Sequence, residues 1–340
     1  MSHTLGRPGY SLLPRAWVEG ALWLARESLK RRVMTNDRSH RTISRPVSVE
    51  GVGIHSGVGA RLTLLPGCPG CGIVFRRTDL GVDIPARIEN VSRTSYSTTL
   101  AVGGSSITTV EHLLAACAGA GITNLQIHLD GPEVPILDGS AAPFLALLQS
   151  AGPVNQGGVV AELAVREVVR VGDEERWLEL RPAAKLAVDY RVSFADPAVG
   201  RQRFIVDDID GCFERSIAPA RTFGFLREVP GLRRRGLGRG GSLDNCVIVD
   251  GSRVLSGALR FRDEFVRHKV LDLLGDLALL EHPLRAAVVA HRAGDTLHVA
   301  AMRALLARPQ AWELTAAAGR RGCTVMPYRW EADAVSANVS

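Results

Sequence analysis

The chain has 340 residues, 46% of them hydrophobic, enough to bury a sizeable core and to form two domains of ordinary size. Its net charge of +6 is carried by arginine, since Lys30, Lys185 and Lys269 are the only lysines, and aromatic residues make up 5%. Dispersed arginines without interleaved aromatics argue against a nucleic-acid partner, and Arg, Glu, His or Pro breaks every apolar run short of the roughly 18 to 20 residues that a transmembrane helix needs.

The first forty residues differ from the rest. Ala16-Trp17-Val18-Glu19-Gly20-Ala21-Leu22-Trp23-Leu24-Ala25-Arg26 is followed by a basic end at Lys30-Arg31-Arg32. This reads either as a basic amphipathic helix in peripheral contact with a membrane, or as a disordered extension ahead of a true start at Met34. From Arg41 the pattern predicts strands, with Val47, Val49 and Val52 leading to the turn Gly51 to Gly57, then Arg61 to Leu65 and Gly72 to Arg76. A helix is expected over Thr109 to Ala120, capped by Thr108 or Thr109, followed by a strand at Asn124 to Leu129 and a helix from Ala142 to about Ser150.

A soft domain boundary is expected at Gly152-Pro153-Val154-Asn155-Gln156-Gly157-Gly158. Beyond it, strands are expected over Val165 to Val171, Trp177 to Leu180 and Leu186 to Phe194, with a long helix from Asp263 to Leu280. The recurrence of strand-then-helix order predicts an α+β fold of two similar layered domains, residues 41–156 and 158–313, with a tail at 314–340. The six cysteines form no dense framework, and Cys68-Pro69-Gly70-Cys71 lacks a second pair to complete a zinc knuckle, so a reducing cytoplasmic compartment and a turn with incidental thiols are expected. The arginine excess suits either a small anionic ligand or plain surface solubility.

The strongest chemical signal is Arg267-His268-Lys269-Val270-Leu271-Asp272-Leu273-Leu274-Gly275-Asp276. On a helix His268, Asp272 and Asp276 share a face. That arrangement suits a metal, although a solvated His/Asp pair would look the same. In Thr108-Thr109-Val110-Glu111-His112-Leu113, Glu111 and His112 point about 100° apart, so one can ligate while the other reaches the metal's water. His112, His268 and Asp272 then supply the three ligands of an open catalytic site, with Glu111 as general base.

These two runs, together with Pro135-Ile136-Leu137-Asp138-Gly139-Ser140-Ala141-Ala142-Pro143-Phe144 and Arg221-Thr222-Phe223-Gly224-Phe225, resemble the UDP-3-O-acyl-N-acetylglucosamine deacetylases in one collinear order from about Arg41 to Glu313. The resemblance implies zinc-dependent removal of an acetyl group from a UDP-linked, acylated amino sugar in lipid A biosynthesis, with the active site between the two domains. It implies Zn2+ on His112, His268 and Asp272, and Lys269 and Thr222 beside the developing oxyanion. It also places an acyl-chain insert near 225–249, where Phe223, Gly224, Leu226, Leu237 and Arg239 would meet substrate. The basic loop Arg233 to Gly241 would approach the diphosphate or remain solvated. His55 has either a place near the active site or a structural role, and the chain is expected to be a monomer.

One position departs from the family. The run Ala293-Gly294-Asp295-Thr296-Leu297-His298 has Asp295 where the resemblance leads one to expect the general-acid histidine, facing its carboxylate partner Asp276. Either Asp295 and Asp276 share a proton, or His298 reaches the site from a helical segment, or Glu111 makes both proton transfers, or the chain is a catalytically impaired homologue that holds zinc or the UDP-sugar.

Overall fold

The computed structural model describes residues 39–316, so the N-terminal extension and most of the 314–340 tail lie outside the described residues. Alternation of apolar and polar residues sets the first sheet. In β1 (Val47–Val52), β2 (Gly59–Pro66), β3 (Ile73–Arg77), β4 (Val82–Pro85) and β5 (Leu125–Leu129), residues such as Leu62, Leu64, Phe75, Ile84, Leu125, Ile127 and Leu129 face inward. The strands lie in the order β1-β2-β5-β3-β4, with β3 and β5 parallel and the other neighbours antiparallel. Helix α1 (Glu111–Gly119) precedes β5, and α2 (Ala142–Ser150) follows it.

The second half repeats this plan. Within a seven-stranded sheet, strands β6 (Val169–Gly172), β7 (Trp177–Pro182), β8 (Ala187–Ser193), β9 (Arg201–Val206) and β10 (Leu284–His291) lie in the order β6-β7-β10-β8-β9, again with one parallel pair among these five, β8 with β10, while Ala161–Val165 also runs parallel to β10. Helix α3 (Glu264–Leu277) precedes β10 and α4 (Asp295–Leu306) follows it. Among the described residues every strand ladder stays within one half, while one apolar cluster runs through both. The fold is α+β, and the repeated strand order is a topological likeness that no residue-level repeat announces.

The two halves meet where α1 packs on α3. Helix α1 buries Glu111 through Cys117, so it is apolar nearly all round, and α3 buries every residue except Arg267 and Lys269. Gly275 permits the close crossing, because a Cβ there would lie 2.0 Å from the Glu111 carbonyl oxygen.

Four expectations need correction. Helix α1 begins at Glu111 with no side-chain cap, because Thr109 is held at φ 61 and its hydroxyl donates to Glu133 at 2.8 Å. The segment at the expected boundary forms a strand, Pro153–Gly157, antiparallel to His40–Ile43 and anchored by Gln156, which accepts from Asn124 and donates to the Gly67 carbonyl. The strand expected over 165–171 is two, Ala161–Val165 and β6, and the first pairs with Trp312–Ala316, which carries the fold past residue 313 into the expected tail. Helix α4 lies where no helix was assigned. Among the described residues no helix is long and apolar enough to cross a membrane.

Candidate active site

The site forms where the N-terminal end of α1, the polar face of α3 and the first turn of α4 converge. His112 Nε2 lies 3.5 Å, and His268 Nε2 3.3 Å, from Asp272 Oδ1. One ligand atom from each of these residues lies within 4.8 Å of the other two, and all three residues are buried. His268 donates through Nδ1 to the Ala220 carbonyl at 3.1 Å, which leaves Nε2 as its metal-facing atom. Burial lowers the His268 pKa to about 4, so the imidazole is neutral and able to ligate. Asp272 Oδ1 is buried and has no hydrogen-bond partner, while Oδ2 accepts from Lys269 at 2.8 Å. Two imidazoles and an orphaned carboxylate oxygen fit a divalent cation.

Lys269 is held between carboxylates, with Nζ also 4.0 Å from Asp295 Oδ1 and 5.9 Å from the centre of the Phe223 ring. Burial opposes its charge, but Asp272 and Asp295 outweigh that and raise its pKa above the ordinary range. Asp272 is conversely held well below the carboxylate range, because the neighbouring His268 and Lys269 outweigh its own burial. Glu111 points Oε2 at the Thr98 backbone N–H, at 3.0 Å. Burial, and then the charges of Asp295, Asp272 and Asp276, push its pKa well up. A cation on the adjacent ligands would offset part of that repulsion.

At the α4 end Asp276 accepts from the Thr98 hydroxyl at 2.7 Å, and its Oδ2 shares a hydrogen bond of 2.8 Å with His298 Nδ1. The imidazole that meets Asp276 therefore comes from His298, which α4 carries one helical turn beyond Asp295. Asp295 is close to both, since one ligand atom from each of Asp276, Asp295 and His298 lies within 4.8 Å of the others, yet its Oδ1 is buried without a partner. Phe223 reaches the site with its ring centre 6.2 Å from that of His268. Thr222 and Gly224 flank it on a segment pinned by the Thr222 N–H to Gly139 O bond of 2.7 Å and by parallel pairing with Val247–Val249.

The other substrate-binding expectations stand apart from the cluster. Leu226 is 43% exposed and Leu237 is half-buried beyond the helical turn Val229–Arg234. Arg239 is exposed, and its backbone N–H donates to the His55 carbonyl. The glycine-rich basic loop is thus docked on the Gly53–Gly57 turn, where a Cβ on Gly240 would lie 2.2 Å from Gly53 O. A cavity of about 1040 Å³ at the far ends of α1 and α3 is lined by residues such as Ile122, Lys185, Phe213 and Leu277 and by none of the clustered residues.

Three participants escaped sequence reading. Thr98 bridges Glu111 and Asp276, Glu133 accepts from the His55 and Ser56 N–H groups and the Thr109 hydroxyl, and Tyr190 meets His298. Nothing in their local patterns marks them; Tyr190 simply reads as a core position of a strand.

Residues 40–307 match the family described as UDP-3-O-acyl N-acetylglycosamine deacetylase (LpxC). The chain belongs to this family. Members named UDP-3-O-acyl-N-acetylglucosamine deacetylase include one from Myxococcus xanthus, 47% identical over 285 residues, covering 83% of this chain and 91% of the relative. One from Anaeromyxobacter is 46% identical over 80% of this chain and 90% of its own length, and one from Chromobacterium violaceum is 45% identical over 80% and 92%. The deacetylase family resemblance noted in the sequence thus extends over nearly the whole described chain.

Proposed function

We propose that this protein hydrolyses the N-acetyl group of UDP-3-O-acyl-N-acetylglucosamine, giving the free amine and acetate in lipid A biosynthesis, with Zn2+ on His112, His268 and Asp272. The observation that carries the reading is the convergence of these three donors beside Glu111 and Lys269, in a chain whose relatives carry the deacetylase name. The ion, when bound, polarises the amide carbonyl and lowers the pKa of a water toward about 7.

The chain's own residues do the rest. Glu111, with Oε2 fixed by Thr98, takes the proton of the attacking water. Lys269, kept cationic by Asp272 and Asp295, faces the negative charge that develops on the amide oxygen, and Thr222 adds a hydroxyl from the neighbouring segment. The departing nitrogen needs a proton, and Glu111 returns the one it took from the water, with the carboxyls of Asp295 and Asp276 nearby. Phe223 and Gly224 lead from the site into the insert at 225–249, whose Leu226, Leu237 and Arg239 would follow the acyl chain and the nucleotide. The two halves, 41–156 and 158–313, act as domains, and the protein works in the cytoplasm as a monomer, with any membrane contact peripheral.

The test is acetate release from UDP-3-O-acyl-N-acetylglucosamine by zinc-loaded protein and by Glu111→Ala. We expect turnover in the wild type and a loss of about 10²- to 10⁴-fold in the variant at unchanged zinc content. Wild-type protein that binds zinc and the UDP-sugar without turnover would sink the enzyme reading.

A further inference from the structure

His298 is 1% exposed, yet both of its ring nitrogens are engaged. Nδ1 lies 2.8 Å from Asp276 Oδ2, and Nε2 lies 2.9 Å from the hydroxyl of Tyr190, itself fully buried on β8. Burial lowers the His298 pKa to about 4, so the ring is neutral. A neutral imidazole has one donor and one acceptor. Asp276 already receives the Thr98 hydroxyl on Oδ1. With Asp276 as the carboxylate, every group is satisfied when the Tyr190 O–H donates to Nε2 and Nδ1–H donates to Asp276 Oδ2.

We propose that His298 is a positioning residue for the deacetylation: anchored on Tyr190, it holds Asp276, and through Asp276 and Thr98 it fixes the orientation of Glu111. The connection is continuous. Asp276 Oδ1 holds the Thr98 side chain, and the backbone N–H of the same threonine holds Glu111 Oε2. Neither ring nitrogen of His298 is left free to reach the metal ligands, so its action runs through Asp276 rather than on the substrate. The charged groups that bear on this chain are Glu111, Asp272, Asp295 and Lys269. A fixed donor to Asp276 keeps one of these crowded carboxylates from turning toward its neighbours.

This inference rests on the proposed function for its kinetic arm but has a second arm that does not. Asn presents its Nδ2 where His presents Nδ1 and can still donate to Asp276, whereas Leu fills the same volume without a donor. We expect His298→Leu to lose about 10- to 100-fold in kcat at nearly unchanged KM. Its pH profile should shift as well, because Asp276 has lost a donor that favours its charged form. His298→Asn should recover most of the loss, and Tyr190→Phe should show a smaller drop with the same pH shift. Were the role only packing, Leu would do as well as Asn and the profile would stay in place; that result overturns the proposal. Independently of turnover, nitrogen NMR of the histidine rings should show His298 protonated at Nδ1, with that signal altered in Asp276→Ala. An Nε2-protonated ring overturns the proposal even in an active enzyme, whereas the expected tautomer in a protein without turnover would sink only the functional reading.

Discussion

Asp295 shows how a single position alters a shared site. Its carboxyl lies 4.0 Å from Lys269 Nζ and its buried Oδ1 accepts no hydrogen bond, which leaves its charge free to act on the ammonium in the proposed reaction. Asp295→Asn keeps the volume and removes the charge. We expect kcat to fall by about 10² or more, with KM within a few-fold of wild type, in steady-state kinetics at matched zinc content. Wild-type kcat in this variant would remove Asp295 from the chemistry. The imidazole beside Asp276 comes instead from His298, three residues on, carried there by the first turn of α4.

Element packing at the site depends on a buried ion pair behind α3. Glu264 is fully buried and accepts from the Arg221 N–H and guanidinium and from the Arg260 N–H, tying the segment before Phe223 to the first turn of the helix that carries the ligands. Burial works against the Glu264 charge, but the hydrogen bonds from Arg221 outweigh it and hold the pKa below the ordinary 4.5. A depressed carboxylate pKa contributes stability that is fully present above the unfolded-state pKa and is lost as pH falls through the folded one. Denaturant unfolding should therefore show Glu264→Gln less stable than wild type by about 3 kcal/mol near pH 7. The gap should narrow below about pH 4.5. A constant gap down to pH 3 would mean that packing, not charge, accounts for the difference.

Across the whole molecule, the proposed ligands come from both halves, His112 from α1 and His268 and Asp272 from α3, so an ion bound there would join the two along the α1–α3 crossing. Binding to the native state alone stabilises it, by about 2.7 kcal/mol when free metal is a hundred times its dissociation constant. Chelation should lower the melting temperature in calorimetry, zinc should restore it, and His112→Ala should melt with no response to either. An equal response in His112→Ala would place the ion elsewhere.

The reach of the sequence can be read from these same residues. Spacing on α3 put His268, Asp272 and Asp276 on one face, and the apolar run after His112 marked α1, because both follow from helical period and burial along one segment. The family was legible for the same reason, since its motifs are local runs. Contacts between segments were not legible. Thr98 and Tyr190 enter the site through hydrogen bonds spanning 178 and 108 residues of chain. Thr109 failed as a cap because Glu133, from a distant turn, claims its hydroxyl. The sequence by itself determined the α+β class, the family and the helix face that His268, Asp272 and Asp276 share. Only the tertiary structure decided which imidazole meets Asp276 and that the halves share one strand order. Those are matters of which partner lies across a packed interface, and a buried donor or acceptor pairs with whatever the fold brings to it.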